Sequence, residues 1–454
     1  MTVTRPRPGT PGTYEFPRTT AFALSNGLRV IVAPMHRLPL VTTIAVIDAG
    51  AEHDHAGTEG LATQSAAALV EGTLEREGPA LAEAFERLGA SIEAGADWDE
   101  ATVQFTVTPA RFAEAFALFA EVLQAPRFAA PDLERLKAER LADLLQQRVE
   151  PRSLADERFA RVAYAAMSRY AKPAGGTPAT VRALDATRVR EWHAHRYGVR
   201  TTTLIVVGDI NPDQVRAEAE RRFAGWVTSV SATRAVDVSP RAAARAVHVV
   251  AKPDAPQSEL RIGHVGLPRA HPDYFPVVVM NAVLGGLFSS RINLNLRERH
   301  AYTYGAHSGF DWRRGAGPFV VGTAVKTEVT DAAVREILAE IDQMRETPIR
   351  AEEWDLATSY LAGVFPIRYE TTNAVAGALA LATVYGLPDD YFDTYRQRIS
   401  AVTRDEVLRA ARAHLHPETL QILAVGNAEA IVGSLDALAL GPVTVTTAEE
   451  GEEG

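Results

Sequence analysis

The feature that most constrains this chain is that its sequence repeats itself. Thr203 to Asp209 reads TLIVVGD and Leu420 to Asn427 reads LQILAVGN, each an aliphatic, β-branched run stopped at a glycine. Aligning Gly208 with Gly426 gives an offset of 426 − 208 = 218. At that offset the preceding amphipathic stretches match without a gap, Leu184 falling on Val402, Val189 on Val407 and Tyr197 on Leu415. With 454 residues the chain is about twice that long, so two copies of one unit account for nearly all of it.

Each copy mixes strands and helices. In the first, Gly27 to Ala33, Val41 to Asp48 and Val103 to Thr108 read as strands. Pro79 to Leu88, Ala110 to Leu123 and Asp132 to Arg148 read as helices. The second repeats the pattern, with strands near Glu259 to Gly266 and Pro318 to Val325, and helices at Phe275 to Val283, Asp331 to Thr347 and Ala351 to Phe365. Strict strand–helix alternation is absent, which predicts an α+β fold: two homologous domains, each a mostly antiparallel sheet with helices on one face. The expected boundaries are 14–228 for the first domain, 229–245 for a Ser/Ala/Arg/Pro-rich linker, 246–440 for the second domain and 441–454 for an acidic, disordered tail.

Composition removes several function classes. There is no cysteine, hence no disulfide, thiolate metal ligand or cysteine nucleophile. Lys plus Arg number 47 against 57 Asp plus Glu, a formal charge of −10, so no basic excess exists to neutralise nucleic-acid phosphates. The longest apolar stretch, Phe275 to Phe288, is interrupted by Asn281 and Gly285-Gly286 and is shorter than the ~20 residues a bilayer span needs. No export signal is legible before Phe22. The expectation is a cytoplasmic protein that contacts neither nucleic acid nor membrane, or a periplasmic one if this is a processed chain.

The segment from Gly50 has the frame G-A-x-x-x-x-x-G-x-x-G-L-A, then a short helix and Glu71-Gly72-Thr73. This frame resembles the start of the pitrilysin, insulysin and mitochondrial processing peptidase family, whose active members carry the inverted zinc motif His-x-x-Glu-His on that helix. Here the five positions read Thr63, Gln64, Ser65, Ala66 and Ala67. Two histidines at i and i+4 share a helical face and can share a zinc ion, while the glutamate polarises the attacking water. Ala67 has no donor atom, Ala66 has no carboxylate and the Thr63 hydroxyl is a poor zinc ligand. The family's third ligand, a glutamate in a Glu-Arg-x-x-x-Leu-x-Glu stretch, aligns with Glu139-Arg140 to Gln146 within a residue or two, placing Gln146 at the ligand position. The resemblance therefore implies no metal in this chain, and an Ala-rich core helix is the plainer reading of Leu61 to Val70.

The second copy keeps another part of the family pattern. Leu284-Gly285-Gly286-Leu287-Phe288-Ser289-Ser290-Arg291, followed by Leu296-Arg297-Glu298, resembles the family's LGG-x-x-SSR and LRE-x-x-x-x-x-Y block. In that family an Arg and a Tyr seven positions later face the zinc of the other half and steady the tetrahedral intermediate. Arg297 and Tyr304 fit, since 304 − 297 = 7, with Tyr302 as a rival because the intervening His300-Ala301-Tyr302-Thr303 departs from the usual pattern. Outside that frame, Arg297-Glu298-Arg299 reads as a solvated helix face. Tyr170 to Thr177, Pro366 to Thr372 and Tyr385 to Tyr391 resemble further family blocks, so the likeness spans about Tyr14 to Leu440.

The resemblance implies a non-catalytic subunit of a two-chain zinc endopeptidase. A homologous partner with an intact His-x-x-Glu-His would hold the zinc, this chain would lend Arg297 and Tyr304, and the substrate would be a peptide. The alternative is a proteolytically inert peptide-binding or scaffold protein of the same fold. A third reading is a hydrolase with a metal relocated to His53 and His55, which sit with Glu52 and Asp54 in what reads as a solvated polar turn. The pairs His193/His195 and His414/His416 fall at expected helix ends, where a spacing of two points side chains apart.

Overall fold

The computed structural model describes residues 14–226 and 236–448. Among these residues, twelve strands form two six-stranded sheets. The first contains β1 (Thr20–Ala23), β2 (Arg29–Pro34), β3 (Val41–Ile47), β4 (Ile92–Ala96), β5 (Ala101–Val107) and β6 (Thr202–Gly208). The second contains β7 (Ala246–Ala251), β8 (Gln257–Val265), β9 (Ala306–Phe310), β10 (Pro318–Lys326), β11 (Gln421–Gly426) and β12 (Val443–Thr447).

The strand orders are β1-β2-β6-β3-β5-β4 and β12-β7-β11-β8-β10-β9. Five successive strands correspond one to one, and the register repeats: Ile44 faces Ile205 in the first sheet, Ile262 faces Ile422 in the second. The two runs that revealed the repeat are β6 and β11, buried along their whole length, as central strands covered on both sides must be. Only the outer strands differ. β1 is antiparallel to β2, whereas β12 lies parallel to β7.

The sheets are not covered by helices on one face alone. The Thr372–Tyr385 helix of the second half packs on β3 and β6, and the Pro151–Ala163 helix of the first half packs on β8 and β11. Each half thus lends the other a helix. One core joins Ile44 and Ile205 to Val375 and Leu379. Another joins Leu154 and Phe159 to Leu423 and Val425. Truncating a residue such as Phe159, buried across the junction, should cost ~3–5 kcal/mol. Periodicity could not reveal this exchange, because an amphipathic helix shows which face is apolar but not which sheet covers it.

Two expected boundaries look different in three dimensions. The tail expected from 441 contains β12, which alternates valine with threonine and is held by β7. The linker expected at 229–245 falls partly outside the described residues; within it Pro240 bridges to Tyr164. The apolar stretch from Tyr274 to Arg299 is long and apolar enough to cross a membrane by composition, but Val277, Val279, Met280 and Leu284 are buried in the second core.

Candidate functional site

The frame that starts at Gly50 is retained as architecture. A Cβ on Gly50 would lie 2.4 Å from the Trp98 carbonyl oxygen, so only glycine allows the two backbones to meet. Gly60 precedes the Leu61–Ala68 helix at φ +95°, a left-handed conformation that excludes most side chains. No side chain at the N-cap itself serves the helix. Asp54 does so from six residues upstream, accepting hydrogen bonds from Gly60 N (2.8 Å) and Ala62 N (2.9 Å). Arg169 pairs with the same carboxylate at 3.0 Å. Burial pushes the Asp54 carboxyl up to about 6 against the opposing pull of Arg169 and the two amides.

Within the helix, Ala66 is fully buried and Thr63 and Ala67 are half-buried. The Thr63 hydroxyl is turned back on its own helix, donating to Gly60 O at 3.0 Å. Gln146 is exposed on the Ala130–Val149 helix, which packs against the motif helix and whose Arg135 pairs with Glu71 just beyond that helix's end. Two methyl groups, a satisfied hydroxyl and an exposed amide do not fit a zinc ion, and no step of metal chemistry can be assigned to these positions.

The His53/His55 segment is not a solvated turn. Glu52, His53 and Asp54 are buried and only His55 is exposed, so the two histidines part. Arg314 explains the burial. It sits in the loop between β9 and β10 and reaches into the first half, its Nη1 bonding Asp48 Oδ1 (2.9 Å) and Glu52 Oε1, its backbone N–H bonding Asp99 Oδ2 (2.9 Å). His53 Nε2 lies 3.0 Å from Asp48 Oδ1. Asp48, Glu52 and His53 are spaced as metal ligands are, but the guanidinium already supplies their counter-charge. Burial, Asp99 and Asp48 push Glu52 up to about 7 despite Arg314, and burial with Asp97 and Asp99 does the same to Glu100. Burial would also raise Asp48, but His53 and Arg314 hold it well below the ordinary carboxylate range. Next to this cluster Arg313 lies between the Trp98 and Tyr170 rings, 4.2 and 4.5 Å from their centres. The sequence carried one signal of this junction, an Arg-Arg-Gly turn between two strands, but nothing that named its partners some 260 residues away.

A second histidine cluster has a similar explanation. His271, Asp273 and His414 bring three potential ligand atoms within 4.8 Å. Arg409 binds both oxygens of Asp273 at 2.8 and 2.9 Å, and the Asp273 N–H occupies His271 Nδ1. This is an ion-pair cluster joining two helix ends. His416 turns away, its backbone N–H meeting His264. His193 and His195 bond different backbone carbonyls, Leu123 O and Glu191 O.

The Arg297/Tyr304 block is built differently. Its backbone is wound as two π-helical turns, Ala282–Gly286 and Leu294–Arg299, a rare geometry that often marks functional sites. Gly285 is packed so tightly that a Cβ would lie 2.4 Å from Ser308 Oγ. Arg291 anchors the segment by gripping Glu353 through both oxygens (2.9 and 2.7 Å). Ala301 then turns the chain at φ +53°. Tyr302 is half-buried, stacked on His300 at 4.9 Å, with its N–H bonded to Leu296 O. Tyr304 stands 94% exposed and its hydroxyl makes no hydrogen bond among the described residues. Arg297 rests over the exposed Phe288 ring at 4.6 Å and has only a 3.4 Å ion pair to the adjoining Glu298. No hydrogen bond or ion pair links Arg297 or Tyr304 to the Leu61–Ala68 helix among the described residues.

Comparison with known proteins agrees with this geometry. Residues 30–170 match the model of insulinase (peptidase family M16), and residues 183–361 match that of the peptidase M16 inactive domain. The chain belongs to the insulinase (M16) family. Among curated relatives, an uncharacterised zinc protease of Streptomyces coelicolor is 22% identical, covering 87% of this chain and 86% of its own. A non-peptidase homologue, YmxG of Helicobacter pylori, is 23% identical over 88% of this chain and 91% of its own. Among solved structures, a peptidase M16 inactive domain from Pseudomonas fluorescens superposes with a TM-score of 0.84 at 25% identity, covering 90% of this chain and 98% of that one. A complex III structure from Candida albicans shares the fold at a TM-score of 0.77 and 14% identity, over 94% of this chain and all of that one. Residues 183–361 thus carry the M16 inactive-domain pattern, and at the zinc-motif positions of the first half Ala66 and Ala67 have no donor atom.

Proposed function

We propose that this chain is the non-catalytic subunit of a two-chain zinc endopeptidase, presenting Arg297 and Tyr304 to a homologous partner's zinc site. The observation that carries the reading is the contrast in solvent exposure. Tyr304 stands almost wholly exposed, and Arg297, seven residues earlier, is held by little, while the chain's own motif helix offers no metal for them to serve. A phenol and a guanidinium suit peptide hydrolysis. The phenol O–H can donate to the oxyanion of a tetrahedral intermediate, and the guanidinium can hold a peptide carbonyl through charge-assisted hydrogen bonds. Zinc and the general base would come from the partner's His-x-x-Glu-His.

The test is to purify the chain with its stoichiometric partner, confirm zinc in the complex and compare Tyr304→Phe and Arg297→Ala with the parent. Loss of one oxyanion donor should lower kcat by about 10²–10³. Arg297→Ala should chiefly raise KM, since it removes a binding contact. Unchanged kinetics for both variants, in a complex that assembles normally, would turn the reading into the inert scaffold or peptide-binding one.

A further inference from the structure

The turn that presents Tyr304 is fixed to the second sheet. The Thr303 hydroxyl donates to Gly305 O at 2.9 Å and accepts from the Thr323 hydroxyl of β10 at 3.0 Å and from Gly305 N at 3.1 Å. The exposed tyrosine thus stands on a held backbone. Beside it, on the sheet, lies a cavity of about 140 Å³ that Tyr304 helps to line.

Strand register makes this cavity. Gly322 of β10 is the cross-strand partner of Arg261 in β8 and of His307 in β9, so the three form one row on one face of the sheet. The middle member has no side chain, and a Cβ there would lie 3.1 Å from His307 Cε1. The row is therefore open between the guanidinium and the imidazole. The wall opposite comes from the helix that the first half lends to this sheet, whose first turn places Arg152 on the cavity.

The charges around the cavity are unevenly committed. Arg261 is buried and fully engaged, with Nε donating to Asp156 Oδ1 at 2.6 Å and Nη1 to Glu259 Oε2 at 3.0 Å, which also occupies those two carboxylates. Arg152 is exposed, and its guanidinium makes no hydrogen bond or ion pair among the described residues. Its neighbour Glu150 turns both oxygens to the backbone amides of Arg152 and Ser153. The His307 ring likewise makes no hydrogen bond among the described residues. Desolvation, then Arg261 and Arg152, hold its pKa below the ordinary histidine value against the pull of Asp156 and Glu259, so the field at the ring is positive. The neutral imidazole keeps one N–H to donate.

We propose that this cavity is a carboxylate subsite for the bound peptide, held by the Arg152 guanidinium and the His307 imidazole; it rests on the reading of Arg297 and Tyr304 given above. An uncommitted guanidinium and a ring N–H in a positive field match a carboxylate in charge and geometry. The volume suits one side chain or chain end, being well below the ~300–1,000 Å³ of sites that enclose a whole small molecule. Because Tyr304 lines the cavity, the acidic group belongs to a residue close to the bond being cleaved.

The test uses the full chain by itself and fluorescein-labelled nonapeptides of alanine and serine, read by anisotropy. One peptide carries a central Glu and a C-terminal amide, a second has Gln in place of that Glu, and a third has no acidic side chain but a free C-terminal carboxylate. The Glu peptide should bind about ten-fold more tightly than the Gln peptide, the worth of one charge-assisted hydrogen bond. Arg152→Ala combined with His307→Ala, two exposed positions whose loss leaves the core untouched, should erase the difference. A third peptide that binds more tightly than the first assigns the subsite to a chain end instead of a side chain. Equal binding of the Glu and Gln peptides with the third no tighter, no binding of any peptide, or a preference that survives in the double variant would overturn the proposal. The kcat of Tyr304→Phe in the zinc complex tests the underlying reading separately, so a carboxylate preference with unchanged kcat would end the catalytic reading alone, and a lowered kcat without the preference would end the subsite alone.

Discussion

The connection from β3 to β4 in the first half and that from β8 to β9 in the second occupy the same place in a duplicated fold, yet they have taken opposite roles. The first is interior and crowded with charge. Its helix is capped by buried Asp54, and Asp48, Glu52 and Asp99 are gripped by Arg314 from the other half. The second is anchored underneath by Arg291 and Glu353 but ends in an exposed aromatic and an arginine with little to hold. One connection is tied into the other half by Arg314, and the other, buried for much of its length, ends in exposed side chains. Perturbing the first should therefore change stability, and perturbing Arg297 or Tyr304 at the end of the second should change only what the protein does with partners.

The largest effect should come from Arg314→Ala. It strands several buried carboxylates without their cation and should cost about 3–5 kcal/mol, read as a shift of the denaturant midpoint. An undiminished midpoint would break the comparison at once. Asp54→Ala should cost about 2 kcal/mol, combining a lost helix cap with an unpaired Arg169. Asp54→Asn, which keeps an acceptor for the helix amides, should recover part of that.

The next effect is on pH dependence. Glu52 and Glu100 are raised from 4.5 to about 7 in the folded protein, so the native state holds protons that the unfolded chain releases between those values. Their contribution is greatest below about 4.5 and is lost as pH rises towards 7. Stability measured at pH 5.5 should exceed that at 7.5 by an amount on the order of 1 kcal/mol, and Glu52→Gln should flatten the slope. Glu353 behaves in the opposite sense. Burial would raise it, but Arg291 and Arg350 hold it down at about 2, so its contribution is present above 4.5 and disappears as pH falls towards 2. The smallest effect is reserved for the exposed end of the second connection. Tyr304→Phe should move the melting of the isolated chain by no more than the equivalent of about 0.5 kcal/mol, and a larger shift would show that this tyrosine is structural after all.

Much of this was readable in sequence because it is local or repeated. The offset of 218 placed β6 on β11, and alternation of apolar and polar residues marked β5. The loss needed no structure, since Ala67 at a ligand position and Ala66 at the base position have no donor atom whatever surrounds them. The spacing of Arg297 and Tyr304 was legible too, but the π-helical winding that carries them was not, because a π turn differs from an α turn by backbone hydrogen bonds that side-chain pattern does not record.

Tertiary structure alone decided the rest. Sequence determined a duplicated α+β chain whose zinc-motif helix cannot hold zinc. It could not say that His53 is buried, that each half lends a helix to the other's sheet, or that the segment after Leu440 adds a twelfth strand beside β7. Those outcomes depend on contacts such as Arg314 with Glu52, 262 residues apart, where the cost of burying a carboxylate is met by a cation that no local pattern announces. Periodicity reports which side of an element avoids water. Only the folded chain determines what fills the space on that side.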